Sequence, residues 1–95
     1  MDFNLGIEIL TEIEIFTSKL CPFCVRAKRL LESKGVLFKE IDVTFDIDAR
    51  QKMSDMADSY SVPQIFVNGD HIGDCDQIYA LEEEKKLDAK LGLCA

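Results

Sequence analysis

The most informative segment of this 95-residue chain runs from residue 12 to residue 24 and reads EIEIFTSKLCPFC. It begins with alternating polar and apolar side chains, which predicts a β-strand over 12–16. A loop follows, and Pro22 favours the first turn of a helix because its missing N–H is not needed there. We therefore predict a strand, a loop and a helix, with Cys21 and Cys24 at the loop–helix junction.

The remaining elements are predicted from hydrophobic periodicity and turn residues. The helix that starts at Pro22 should end at Gly35, a residue suited to the left-handed cap position. In chain order, the further predicted elements are a strand over 36–43, a helix from Asp46 or Asp48 to about Asp58, strands over 64–67 and 70–73, a helix beginning at 74–76, and a short helix carrying Leu87, Leu91 and Leu93.

Two local signals refine this outline. The Asn68-Gly69 pair strongly favours a two-residue hairpin, so the strands on either side of it should be antiparallel. In the second helix, Ile47, Met53 and Met56 are expected on the buried side. The element order β-α-β-α-β-β-α, followed by the short helix, predicts an α/β fold with a four-stranded mixed sheet flanked by helices.

Length and composition limit the class of protein. Ninety-five residues with 47% hydrophobic and 31% charged side chains suit one domain over 1–95. Residues 1–11 are a candidate N-terminal extension, and the alternation at 7–10 fits either an added strand or a leader. No apolar run approaches the ~20 residues that cross a membrane. Because the first residues also lack signal-peptide features, we expect a cytoplasmic protein with no membrane partner.

The charge is unevenly distributed along the chain. A net charge of −7 argues against nucleic-acid binding, since phosphates require a basic face. Between Lys19 and Lys39, however, six basic residues and one acidic residue give +5, and the rest of the chain carries −12. A local positive field favours a small anionic partner. A solvated helix face would explain the same run of charges.

The four cysteines, at positions 21, 24, 75 and 94, favour redox chemistry over a structural role. A tetrathiolate zinc site needs two close pairs, and only Cys21 and Cys24 are close, so no metal is expected. A C-x-x-C pair at a strand-to-helix junction is typical of a thioredoxin-like redox site. The helix start and the nearby basic residues, among them Lys19, favour the reactive thiolate of Cys21. Cys24 lies one turn further on and could attack a mixed disulfide formed at Cys21.

The segment Ser61-Val62-Pro63 precedes the third predicted strand. Pro63 fits either a trans edge residue or a cis peptide bond. A cis bond would leave the backbone N–H and C=O of Val62 free to pair with a peptide-like substrate. In the predicted fold this turn should lie close to the start of the Cys21 helix.

Three motifs together carry a resemblance to a known family. They are Cys21-Pro22-Phe23-Cys24, the stretch SVPQIFV over 61–67, and the stretch HIGDCD over 71–76. From about residue 12 to residue 93 the chain resembles a dithiol glutaredoxin. The resemblance implies a thioredoxin-like fold, glutathione as co-substrate, and disulfide-bonded or glutathionylated proteins as partners. It also implies a monomer that reduces protein disulfides and glutathione mixed disulfides.

The resemblance also implies residue roles. Cys21 would be the nucleophile and Cys24 the resolving thiol. Val62 would bind the cysteinyl part of glutathione through its backbone, and Arg50 would meet the glycine carboxylate. The γ-glutamyl end would be held by a backbone N–H and a carboxylate, those of Cys75 and Asp76. The full glutathione-binding set implied in this way is Lys19, Phe23, Arg50, Ser61, Val62, Pro63, Asp74, Cys75 and Asp76.

Three departures from the family pattern bear on glutathione affinity. The loop lysine lies one place closer to the nucleophile, at Lys19, and Ser18 occupies its usual position. Asp74 stands where the family has the second glycine of a pair, and Gln77 stands where the family has a second aspartate after the cysteine. Apart from these three departures, Phe23 replaces the usual tyrosine and keeps the aromatic wall without its hydroxyl.

Other residues are weaker candidates for a role. His71, the only histidine, is expected to face solvent on a strand and not to act as a base. Tyr60 is either a cap over the site or a packing residue. Cys75 should act through its backbone, and Cys94 is expected to be a spare exposed thiol. Two other functions fit the same sequence. One is an enzyme of the same fold that is reduced by thioredoxin reductase. The other is an iron–sulfur carrier that uses Cys21, and Pro22 argues against this one because it stiffens the loop.

Overall fold

The structure is a computed structural model that describes residues 11–93, so the predictions on residues 7–10 and on Cys94 lie outside the described residues. The elements follow the predicted order. They are β1 (Ile13–Thr17), α1 (Pro22–Ser33), β2 (Lys39–Asp42), α2 (Ile47–Ala57), β3 (Gln64–Val67), β4 (Asp70–Gly73), α3 (Cys75–Glu83) and α4 (Leu87–Lys90).

The four strands form one mixed sheet in the order β2-β1-β3-β4. β1 pairs in parallel with β2 and antiparallel with β3, and β4 is antiparallel to β3. The hairpin between β3 and β4 turns at Asn68 and Gly69, whose φ angles are 52° and 85°. Two positive φ values suit the tight turn that the Asn-Gly pair predicts. The predicted mixed sheet is confirmed.

Alternation along the two central strands divides the core between the faces of the sheet. Ile13 and Ile15 of β1 lie in the larger cluster, with residues of α1, α3 and α4. Phe16 and Phe66 lie in a smaller cluster with Met53 of α2, and their rings meet edge to face at 5.5 Å. Both faces of the sheet are therefore covered by helices, and its loops remain free to form a site.

The predicted bounds of two strands were wrong at their ends. β1 begins and ends one residue later than predicted, and β2 begins at Lys39 instead of residue 36. The parallel register pairs Glu14 with Lys39, so residues 36 and 37 would fall opposite residues 11 and 12, which precede β1. Without a strand to pair with, these residues form a loop, and Leu37 is 91% exposed.

The predicted apolar side of α2 was also partly wrong. Met53 is buried, but Ile47 and Met56 are 77% and 42% exposed. The buried stripe instead combines Met53 with Ala49 and Ala57, at i, i+4 and i+8 spacing. The carboxylate of Asp46, and not that of Asp48, caps the helix, since Asp46 Oδ1 accepts a hydrogen bond from the Ala49 N–H at 3.0 Å.

Candidate active site

Cys21 caps the N-terminus of α1. Its backbone is extended, Pro22 begins the helix, and Cys21 Sγ accepts a hydrogen bond from the Cys24 N–H at 3.1 Å. The first turn of α1 carries no acidic residue. Unpaired N–H groups and the positive end of the helix dipole favour negative charge at this position. The predicted location of the cysteine pair is confirmed.

The two cysteines differ in exposure and are joined to each other. Cys21 is partly exposed, whereas Cys24 is 2% exposed and faces the core. The structure contains a Cys21–Cys24 disulfide with a Cα–Cα distance of 5.2 Å, within the usual range for disulfides. The accessible sulfur of the pair is therefore that of Cys21, with Cys24 directly behind it.

The turn before β3 lies beside the cysteine pair, as predicted. The Val62–Pro63 peptide bond is cis, and the Val62 carbonyl oxygen lies 4.0 Å from Cys21 Sγ. Pro63 is buried, whereas Val62 is partly exposed. Val62 thus presents its backbone next to the exposed sulfur.

An open cleft of about 190 Å³ extends from this turn to the start of α3. Seven of the nine residues predicted to bind glutathione line it, and they come from three separate segments. They are Phe23, Ser61, Val62, Pro63, Asp74, Cys75 and Asp76.

The other two predicted glutathione-binding residues lie outside this lining. Lys19 points toward the loop after β2, where its Nζ is 6.0 Å from the ring centre of Phe45. The Arg50 guanidinium stacks at 5.1 Å on the ring of Tyr60, and Arg50 Nε donates to the Tyr60 carbonyl at 3.0 Å. Tyr60 is thus a packing partner of Arg50 at the border of the cleft.

At the α3 end of the cleft, Asp74 and Gln77 form a reciprocal cap on the N-terminus of α3. Asp74 Oδ1 accepts from the Gln77 N–H, and Gln77 Oε1 accepts from the Asp74 N–H. Gly73 precedes this cap with a φ of 133°, and a Cβ atom there would lie 2.5 Å from the Gln77 Cβ. The D-x-x-Q pattern is readable in the sequence as a capping box, but this pairing of Asp74 with Gln77 was not predicted.

Cys75 begins α3 and is 2% exposed. Burial raises the pKa of the Cys75 thiol, and the nearby Arg26 opposes this only in part. α3 is held against α1 by Tyr79, whose hydroxyl donates to the Arg26 carbonyl at 3.2 Å and whose ring lies beneath the Arg26 guanidinium. Cys75 therefore lines the cleft with a buried thiol whose raised pKa disfavours the thiolate.

The turn that carries Val62 is held by a chain of hydrogen bonds that was not predicted from the sequence. Gln64 is 2% exposed, and its Nε2 donates to the Ser61 carbonyl at 3.1 Å. Its Oε1 must therefore accept from His71 Nε2, at 2.6 Å. His71 also packs against the ring of Phe66. His71 is exposed, as predicted, but the alternation along its strand gives no sign of the Gln64 partner.

Residues 11–93 contain neither a metal-binding cluster nor a membrane-spanning helix. No group of three or more His, Cys, Asp or Glu side chains in that range is arranged to hold a metal ion. No helix of the described chain has the length and apolar character needed to cross a bilayer.

A disulfide-forming cysteine pair at a helix start, on a mixed sheet of this order, defines an oxidoreductase with a thioredoxin-like fold. Comparison with known proteins agrees. The glutaredoxin family model matches residues 13–72. Glutaredoxin 3 of Escherichia coli K12 is 43% identical over 82 residues, covering 86% of this chain and 99% of the relative.

Two solved structures extend the comparison. The solution structure of glutaredoxin from Brucella melitensis is 42% identical, with a TM-score of 0.75 and coverage of 88% of this chain and 94% of that one. A buckwheat glutaredoxin–glutathione complex is 25% identical, with a TM-score of 0.78 and coverage of 94% and 84%. The chain belongs to the glutaredoxin family.

Proposed function

We propose that this protein is a glutathione-dependent oxidoreductase that reduces protein disulfides and glutathione mixed disulfides through Cys21 and Cys24. The observation that carries the proposal is the position of Cys21, whose partly exposed sulfur caps α1 beside the Val62 carbonyl. The Cys24 N–H already bonds to that sulfur at 3.1 Å and would stabilise the thiolate. The buckwheat relative is described as a complex with glutathione.

The proposed reaction begins with both cysteines reduced. The Cys21 thiolate attacks one sulfur of a substrate disulfide, forms a mixed disulfide and expels the other sulfur as a thiolate, which takes up a proton. Cys24 then attacks the Cys21 sulfur, releases the second substrate thiol and closes the Cys21–Cys24 disulfide. Two glutathione molecules supply the two electrons that reopen it and leave as glutathione disulfide. With a glutathione mixed disulfide, the Cys21 thiolate attacks the glutathionyl sulfur and expels the protein thiolate, which takes up a proton. The thiolate of a free glutathione then attacks that sulfur, leaves as glutathione disulfide and restores the Cys21 thiolate.

In the proposed glutathione complex, the cleft beside Cys21 holds the tripeptide. The Val62 backbone pairs with the cysteinyl residue, with Phe23, Ser61 and Pro63 as walls. At the α3 end, the Cys75 N–H binds the γ-glutamyl carboxylate and the Asp76 carboxylate binds its ammonium, with Asp74 beside them. From outside the cleft lining, Arg50 meets the glycine carboxylate, and Lys19 attracts the anionic tripeptide by its charge.

We further propose that residues 1–95 act as one glutaredoxin domain, as a monomer and without a metal. The cytoplasm is the compartment that fits the reaction, because it keeps thiols reduced.

The test couples the protein to glutathione, glutathione reductase and NADPH, with a glutathionylated peptide or a protein disulfide as substrate. Cys21→Ser should abolish both activities. Cys24→Ser should keep the activity on the glutathionylated peptide and lose most of the activity on the protein disulfide. Cys94→Ser is the matched control, which should keep both activities. Equal loss with the glutathionylated peptide in both active-site variants would contradict the assigned roles. Turnover only when thioredoxin reductase replaces the glutathione system would refute glutathione dependence.

A further inference from the structure

Three strongly exposed apolar side chains lie on the loop after β1 and on the segment from the end of β2 to the first residue of α2. Leu20 is 101% exposed, Phe45 89% and Ile47 77%. We call Leu20, Phe45 and Ile47 the β2-side patch. Large apolar side chains exposed together commonly mark an interaction site.

The sheet order explains why the patch and the cleft flank the same sulfur. The loop after β1 carries Cys21, and β1 lies between β2 and β3. The cleft is built from the turn before β3 and the segment after β4, whereas Phe45 follows β2. Cys21 therefore lies between the two surfaces.

The two loops that carry the patch are fastened to each other. The Val43 N–H donates to the Thr17 carbonyl at 2.8 Å. The Lys19 N–H donates to Thr44 Oγ1, also at 2.8 Å. The Lys19 ammonium lies over the Phe45 ring, within the range of a cation–π contact. The exposed side chains of the patch thus stand on ordered backbone next to the reactive cysteine.

Acidic residues surround the patch. Asp42, Asp46 and Asp48 are exposed on the segment that carries Phe45 and Ile47, and two basic residues, Lys19 and Lys28, act on Asp42. The Thr44 hydroxyl and N–H both donate to Asp42, which lowers the pKa of that carboxyl and keeps it ionised. A partner that covers the patch therefore gains from apolar and basic side chains together.

We propose that the β2-side patch binds the flanking residues of polypeptide substrates, specifically extended chains with apolar and basic residues beside the cysteine that reacts with Cys21. The inference rests on the proposed function for the role of Cys21. Glutathione occupies the cleft on the other side and has no residues to reach the patch. The patch therefore selects among polypeptide disulfides and leaves reactions with small disulfides unaffected.

The experiment uses two peptides with one cysteine each, activated as mixed disulfides with thionitrobenzoate. One has Leu and Arg beside the cysteine, and the other has Ser and Arg, so the two differ only in the apolar residue that the patch would cover. Release of thionitrobenzoate by the Cys24→Ser protein reports the attack of Cys21 without any glutathione. The variants are Phe45→Ser with Ile47→Ser, and the matched control is Leu37→Ser, an equally exposed leucine before β2. A small activated disulfide serves as the reference substrate.

The wild-type patch should favour the Leu/Arg peptide by about tenfold, roughly 1.4 kcal/mol. The double variant should lose most of this preference and keep the rate with the small disulfide within about twofold, whereas Leu37→Ser should retain the preference. A double variant that reacts with both peptides as the wild type does would overturn the proposal. The proposed function alone would be refuted if the double variant loses the preference and still attacks the peptides, while the wild-type protein shows no turnover with glutathione. The proposal on the patch would then stand.

Discussion

The side chains of Asp74 and Gln77 each accept a hydrogen bond from the other residue's backbone N–H, both at 2.9 Å. This pair caps α3 where the helix borders the cleft. The carboxylate of Asp74 therefore occupies the helix end that would otherwise attract an anionic ligand. Asp76, in the first turn of α3, adds a second negative charge to this end of the cleft.

We predict that Asp74→Gly tightens glutathione binding a few-fold. Removing the carboxylate frees the end of α3 for the γ-glutamyl carboxylate, an effect of ~0.3–1 kcal/mol for helix-end charges. Stability should fall by only a few tenths of a kcal/mol with Gly at the cap, against about 1 kcal/mol with Asp74→Ala. The KM for glutathione at low salt and urea unfolding are the measurements.

Gln77→Ala is the control for the Asp74 variants. It removes one bond of the cap but leaves the negative charge of Asp74 in place, so stability should fall while the KM for glutathione stays the same. If Asp74→Gly weakens glutathione binding, Asp74 is itself a ligand and not a competing charge.

His71→Ala should destabilise the protein and raise the KM for glutathione. The substitution removes the donor to Gln64 Oε1, and because His71 is itself exposed, water replaces it, so the free energy of unfolding should fall by about 0.5–1.5 kcal/mol. Gln64 also holds the Ser61 carbonyl, so the Val62 turn should lose its alignment. Thermal unfolding and steady-state kinetics test this together. Because Cys21 is not in this chain of bonds, its rate with iodoacetamide should not change, and a large fall in that rate would contradict the assignment.

Cys75 should resist alkylation in the reduced, folded protein. Its thiol is 2% exposed, and burial raises its pKa, so little thiolate is present near neutral pH. Iodoacetamide at pH 7 should modify Cys21 first, as mass spectrometry of the Cys94→Ser variant would show. Denaturation in urea should make Cys75 reactive. Modification of Cys75 in the folded state at a rate near that of Cys21 would show that the start of α3 opens readily.

Thr17→Val should lower stability by about 1 kcal/mol at pH 7. The Thr17 hydroxyl, 2% exposed, donates to Glu40 Oε2 at 2.7 Å and is the main cause of the lowered pKa of that carboxyl. A lowered carboxyl pKa stabilises the folded state above the ordinary value of 4.5, and this contribution is lost as the pH falls further. Urea unfolding should therefore show a difference between the proteins that shrinks below pH 4.5. A difference that is constant with pH would point to packing instead.

Lys28→Met is the comparison for Thr17→Val. Lys28 Nζ also contacts Glu40 Oε2, at 3.0 Å, but this ion pair is partly open to solvent. Removal of this ion pair should lower the free energy of unfolding by less than about 1 kcal/mol, because exposed pairs are screened by water and salt.

Short-range signals were sufficient for most of the fold. Alternation over residues 12–16, Pro22 at a helix start and the Asn68-Gly69 turn each act through a few neighbouring residues, so their effect is readable along the chain. The strand over 36–43 was overextended because strand ends depend on the partner strand. β1 begins at Ile13, and nothing lies opposite residue 36 to pair with it.

The cysteine pair and the residues of the cleft were identified from local motifs and family resemblance, since each motif is a few contiguous residues. The direction of a surface side chain was not predictable in this way. Lys19 lies over Phe45, Arg50 over Tyr60, and His71 bonds to Gln64. The first and third pairs join segments that meet only after the strands have paired, and the second joins α2 to the chain that turns back after it. All three contacts depend on distances that separation along the chain does not set.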